Sequence, residues 1–152
     1  MKKNKTKNKN NGFVLMIVLL LVSVVLVVGL GVFDIILGEI ALSIAGRESQ
    51  KSLYAADSGI ECALYWDLKQ MAFNSSSYTI NCAGRQIQNN MIASTTTFDL
   101  VFENGACAQV TVDKVFSPVT TITSRGYNIS GESGFCDSNS SRKVERAMRN
   151  AY

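Results

Sequence analysis

Between Phe13 and Phe33 the chain runs for 21 residues without a charge. At 1.5 Å per residue a helix of that length covers about 32 Å, close to the ~30 Å hydrocarbon core of a bilayer. A helix apolar on every side must be surrounded by lipid or by other helices. Asp34 ends the run. A carboxylate at mid-membrane costs about 2.5–3.5 kcal/mol, which puts Asp34 at the outer interface. Upstream, MKKNKTKNKNNG holds five lysines, no acid and no apolar residue after Met1. It reads as a flexible tail whose positive charge keeps that end cytoplasmic and sends the remainder outward.

A cleaved secretory signal is the competing reading of this run. Such a signal has an apolar core of about 7–15 residues followed by small residues at the cut. Ser43-Ile44-Ala45 offers small residues, but the run is too long and Asp34 and Glu39 intervene. No proline or turn cluster separates the apolar run from the polar, amphipathic stretch ending at Met71. One continuous helix is therefore predicted from Gly12 to Met71, roughly 85 Å long if unbroken. Gly29, Gly31, Gly38 and Gly46 lie along it. Small residues allow close helix–helix approach in membranes, and also fit a helix that bends when packed among others. From Leu53 onward, Leu53, Ala56, Ile60, Ala63, Leu64, Leu68 and Met71 form a one-sided stripe that predicts the helix's share of a core. Tyr54, Tyr65 and Trp66 are expected as core or rim aromatics.

The formal charge of +3 is concentrated in the leader. Lys2, Lys3, Lys5, Lys7 and Lys9 are five of the fifteen basic residues, and ten bases then face twelve acids. The remaining side chains sum to −2, which gives no indication of a nucleic-acid surface. The basic cluster Arg142, Lys143, Arg146 and Arg149 is where such contact would fall, with a solvated strand face as the plainer reading. With no histidine in the chain, Ser-His and Cys-His nucleophile pairs are excluded within it. No glycine pattern cradles a phosphate, no cofactor is expected, and no cysteine spacing suits zinc. Asp57 and Glu61 lie one turn apart and read as solvated helix surface. The chain is not expected to be an enzyme. Cys62, Cys82, Cys107 and Cys136 lie beyond the membrane-targeting segment, an even set that points to an oxidising compartment and up to two disulfides. Three pairings exist if all four are bridged, and spacing does not choose among them.

Downstream, Asn74–Ser77 breaks the helical pattern and is expected as a loop. Phe98, Leu100 and Phe102 alternate with polar residues, as do Ala108, Val110 and Val112, and Asn104-Gly105 between them is a hairpin signal. Pro118 separates the second run from Val119–Tyr127. The stretch 131–141, rich in Gly and Ser around Cys136, reads as a loop. In 142–152, Val144, Met148 and Ala151 suit a helix, and Val144 and Met148 also suit a strand. Three Asn-x-Ser triplets, at Asn74, Asn128 and Asn139, carry no functional assignment.

The boundary Lys9-Asn10-Asn11-Gly12, then Phe13-Val14-Leu15-Met16, resembles the class III signal of type IV pilins and of type II secretion pseudopilins. Tyr54-Ala55-Ala56-Asp57-Ser58-Gly59-Ile60-Glu61 resembles the segment that ends the N-terminal helix in minor pilins, with Asp57 where that pattern usually has Glu. The tail, Thr121–Tyr127 and Arg142–Ala147, resembles the last two strands of small minor pilins and tips the ambiguous C-terminus toward strand. The middle, from about Phe73 to Asn104, has no counterpart by resemblance. The resemblance implies a leader of residues 1–12, cut by a prepilin peptidase between Gly12 and Phe13, with Phe13 then N-methylated. Residues 13–37 would be the transmembrane and filament-core helix. Residues 38–152 would be a pilin-like globular domain that includes the distal half of the helix.

The fold class implied is α+β, with a long N-terminal helix on a small antiparallel sheet of three or four strands. Partners would be other pilin subunits, through Phe13 to about Leu37, the peptidase, and the prokaryotic inner membrane before assembly into an extracellular or periplasmic filament. Ile17, the fifth residue of such a mature chain, stands where polymerising pilins carry Glu. That departure implies a minor subunit, tip-associated or priming, rather than the main building block. The rival expectation is a permanently anchored, adhesin-like binding module that never polymerises.

Overall fold

The computed structural model describes residues 11–90, 94–116, 118–131 and 134–152. The leader up to Asn10 therefore lies outside the described residues. The chain divides into two compact units, Met1–Ile44 and Ala45–Tyr152. One helix, α1 (Asn11–Leu68), contributes to both. A 3-10 turn, Ala72–Asn74, follows it, and then come β1 (Ser77–Cys82), β2 (Arg85–Asn90), β3 (Thr95–Val101), β4 (Cys107–Asp113), β5 (Thr121–Tyr127) and β6 (Glu145–Ala151). All strand pairing is antiparallel, in a two-stranded sheet β1-β2 and a four-stranded sheet β3-β4-β5-β6. The fold is α+β, as expected from the sequence.

In the first unit α1 passes unbroken through Gly29, Gly31 and Gly38. Its large apolar side chains, from Phe13 to Ile44, are all exposed. The helix is long and apolar enough to cross a membrane.

In the second unit the helix lies on the four-stranded sheet through a face of small residues. Ser52, Ala55, Ala56, Gly59, Ile60, Ala63 and Asp67 are buried, spaced by threes and fours as one side of a helix requires. The contact is close enough to exclude side chains. A Cβ on Gly126 of β5 would overlap the Ser52 carbonyl oxygen and the Ala56 amide nitrogen, and one on Gly59 would overlap Ser124 Oγ. The predicted stripe is corrected here: Ala56, Ile60 and Ala63 are buried and Leu64 partly so, but Leu53, Leu68 and Met71 are exposed. Tyr54 and Tyr65 are exposed as well, and only Trp66 sits at the rim, its Nε1 donating to the Asn81 carbonyl at 3.2 Å.

The buried helix face and the sheet share one continuous core. Phe73 packs on Tyr78 and Phe98, with ring centroids 4.8 and 6.1 Å apart. Ile80, Leu100, Val110, Val112 and Ile122 complete it, all but fully buried. The β3–β4 hairpin turns at Asn104-Gly105 as expected. Gly105 N donates to the Phe102 carbonyl at 3.0 Å, and Gly105 alone in the turn has positive φ (77°). The connection is therefore a type I turn closed by a left-handed glycine rather than the two-residue mirror-image turn.

The β1-β2 hairpin has no counterpart in the sequence expectation. Its loop is Ala83-Gly84, both at positive φ (51° and 72°), which is the mirror-image geometry that matches strand twist. The expected loop at Asn74–Ser77 shrinks to residues 75 and 76, because Asn74 ends the 3-10 turn and Ser77 opens β1. The C-terminal segment is a strand, and β6 is the exposed outer strand of its sheet.

The end of α1 is fastened by a buried carboxylate. Asp67 accepts from Lys114 Nζ and from the Tyr152 hydroxyl, both at 2.5 Å, and Lys114 also donates to Asn74 Oδ1 at 2.8 Å. Asn128, fully buried, donates to Glu48 Oε2 (2.8 Å) and to the Arg142 carbonyl (3.0 Å), while its own oxygen accepts from Val144 N (2.7 Å). That side chain is committed to joining α1 to the segment before β6, so the Asn-x-Ser triplet at Asn128 is not an accessible acceptor.

Two outcomes are expected. Gly126→Ala destabilises the second unit by at least about 3 kcal/mol, because backbone rather than a flexible side chain occupies the space a methyl needs. Ser124→Ala is neutral or slightly stabilising, because Ser124 Oγ is buried with no hydrogen-bond partner. Urea unfolding of the detergent-solubilised chain checks both.

The Tyr152 hydroxyl is held above its ordinary pKa of 10.0, first by burial and then by its hydrogen bond to Asp67. Tyr127 is raised too, by burial and by Glu145, against an opposing pull from Arg125. A raised folded-state pKa gives stability that is complete below pH ~10 and is lost as pH rises beyond it. Unfolding followed by circular dichroism is expected to shift to lower urea above pH 10, and Tyr152→Phe is expected to flatten that dependence.

Candidate functional site

The first candidate site is the junction Gly12-Phe13 and the apolar surface beyond it. Both residues lie in the first turn of α1, where the initial four amide groups have no partner inside the helix. Opening that turn to a protease therefore sacrifices little hydrogen bonding. A Cβ on Gly12 would meet nothing within 4 Å, and Phe13 is 71% exposed. Phe13 and Ile17 stand four positions apart and so share a helix face. Ile17 is 44% exposed and offers only hydrocarbon. A positive amine placed near Ile17 in an apolar surrounding would find no carboxylate there, and an unpaired charge in low dielectric is costly.

The four cysteines form two disulfides, Cys62–Cys82 and Cys107–Cys136, with Cα separations of 6.1 and 5.7 Å. Sequence spacing left three pairings open, and the fold selects one. Cys62 on α1 meets the end of β1. Cys107 opens β4 and meets the loop that leads toward β6, forming a small second core with Val101 and Tyr127. Lys143 Nζ sits 4.1 Å above the Tyr127 ring and donates to the Cys136 carbonyl at 2.9 Å. Asp99 Oδ2 accepts from Cys136 N at 3.0 Å. The 131–141 loop is thus tied to the sheet at several points.

The segment Tyr54–Glu61 has a physical reason for its composition. Ala55, Ala56, Gly59 and Ile60 point at the sheet, while Tyr54, Asp57, Ser58 and Glu61 point away. Gly126, from the segment Thr121–Tyr127, is the residue that meets Ala56. The two motifs are the two sides of one close contact.

A groove missed by sequence reasoning flanks the same helix. It measures about 320 Å³ and is lined by Arg47, Lys51, Tyr54, Ser58, Phe102 and Asn104, among others. Assigning Tyr54 to the core or its rim hid it. The available signal was the i, i+4, i+7 spacing of Arg47, Lys51 and Tyr54, a polar-aromatic ridge opposite the small residues. Among the described residues, no three His, Cys, Asp or Glu side chains converge as metal ligands would. Both members of the Asp57 and Glu61 pair are exposed on α1.

No family model matches the chain, and no curated protein or solved structure matches it either.

The disulfides span sequence separations of 20 and 29 residues, for which loop closure predicts a stabilisation of about 3 kcal/mol each. Replacing both Cys107 and Cys136 by Ser is expected to lower unfolding stability by about that amount, read from the shift in urea midpoint under non-reducing conditions.

Proposed function

We propose that this chain is a minor structural subunit, tip-associated or priming, of a type IV pilus or of a type II secretion-like pseudopilus. It enters the prokaryotic inner membrane as a single-pass precursor with its N-terminus in the cytoplasm. A prepilin peptidase cuts between Gly12 and Phe13, and Phe13 is N-methylated. The segment from Phe13 to about Leu37 then leaves lipid and packs among the helices of other subunits, while the second unit faces the extracellular or periplasmic side.

The observation that carries this reading is the continuous exposed apolar surface of α1 next to a basic leader that ends in Gly12. Burying one large aliphatic side chain contributes about 1.5–3 kcal/mol, so a surface of this extent requires a hydrophobic surrounding at every stage. Lipid and sister helices both supply it, and one segment can be transferred from the first to the second. Two disulfides in the second unit fit a compartment outside the cytoplasm. The hydrocarbon at Ile17 supports the minor rather than the major role.

Mass spectrometry of the membrane-purified protein is expected to give a mature chain that begins at methylated Phe13. An intact Met1 leader in cells with an active peptidase would favour the permanently anchored binding module instead. Gly12→Ala is expected to block processing. Ile17→Glu is expected to raise the amount of this subunit in sheared filaments, measured by quantitative immunoblot. Unchanged abundance would remove the missing carboxylate as the reason for its restricted place.

A further inference from the structure

The groove beside α1 in the second unit combines cations with aromatic walls. Arg47 and Lys51 stand one helical turn apart at its edge, and Tyr54 and Phe102 flank it. Neither cation has an ion-pair partner among the described residues, whose only such pairs are Lys114–Asp67 and Arg125–Glu145. No carboxylate is among the groove's lining residues. Its chemistry therefore calls for a ligand that presents negative charge beside hydrocarbon.

The first unit shows what such a ligand looks like. Asp34 and Glu39 are the only charged residues between Asn11 and Gly46, both exposed and both without an ion-pair partner. Around a helix, Ile35, Ile36 and Leu42 fall on the same side as Glu39, three or four positions away. Asp34 is five positions from Glu39, about 140° around the helix, and faces elsewhere. A carboxylate carried into a packed helical bundle costs several kcal/mol unless a cation meets it.

Resting on the filament reading above, we propose that the groove is a docking site for the apolar helix of a second copy of this chain, met on the side where Glu39 stands among aliphatic side chains. The carboxylate lies between Arg47 and Lys51, and the aliphatic residues cover Tyr54 and Phe102. The cations fix which part of the neighbouring helix stops at this groove, a selection that uniform hydrocarbon cannot make.

The test uses the full chain in detergent and a labelled helical peptide of residues 30–44 of this sequence as the probe. Saturable binding is expected. It should weaken about tenfold with Glu39→Gln in the peptide or Lys51→Gln in the chain, as expected for a close interfacial charge pair. An Asp34→Asn peptide should bind like the original. A Glu39→Lys peptide should recover affinity on a chain carrying both R47E and K51E. Unchanged thermal unfolding of these surface variants confirms that they fold. Equal binding of all peptides, or none of any, overturns the docking site, as does dependence on Asp34 in place of Glu39. The N-terminus of the same preparations separates the two ideas. A chain starting at Phe13 that binds no peptide fails this inference alone, whereas one that retains Met1 in cells with an active peptidase fails the filament reading beneath it.

Discussion

The second unit depends on a seam from which side chains have been removed. Where α1 crosses β5, the helix backbone at Ser52 and Ala56 meets the backbone of Gly126, and Gly59 meets Ser124. A helix seated this low leaves little room directly beneath it, where Ala108, Val110 and Ser124 meet Gly59. The aromatic residues Phe73, Tyr78 and Phe98 pack on one another within the same core. A small core built partly from Ala, Gly and Ser gives limited burial. Fastenings at its edges compensate: Asp67 with Lys114 and Tyr152 at the end of the helix, Asn128 with Glu48 nearer its start, and one disulfide on each flank.

The same seam explains what could be read from the sequence and what could not. The long helix, the β3–β4 hairpin and the lone proline outside any strand follow from local rules of period and turn chemistry. The helix's buried face follows only in part: Ala56, Ile60 and Ala63 are buried as expected, but the same apolar stripe takes in Leu53, Leu68 and Met71, all of which point to solvent. Alanine, glycine and serine bury well against β5 at Gly126 but give almost no hydrophobic signal. The β1-β2 hairpin was missed for a related reason. Tyr78, Ile80 and Cys82 alternate clearly, but β2 offers only Ile87, and Ala83 in a left-handed turn position is not a residue that turn rules select. Disulfide pairing is a property of the completed fold and cannot be obtained from spacing.

The first candidate site was legible to a different degree. Gly12, Phe13 and Ile17 stand out because charge and hydropathy change abruptly there, and their proposed roles come from resemblance. The groove at Arg47, Lys51 and Tyr54 becomes visible only once the opposite side of the helix is known to be the buried one. On α1 the two sets of residues have opposite needs. The apolar stretch requires a hydrophobic surrounding on all sides, while the ridge offers unpaired cations beside aromatics. The proposed filament of packed helices would meet both needs, which lipid alone would not.

The central claim is that one apolar stretch has two successive surroundings. A photoreactive amino acid in place of Val25, exposed on α1, tests it most directly. Illumination of the membrane-held precursor should give lipid adducts, and illumination of sheared filaments should give covalent adducts to other subunits. Lipid adducts in every fraction, with no subunit-to-subunit product, would contradict the account.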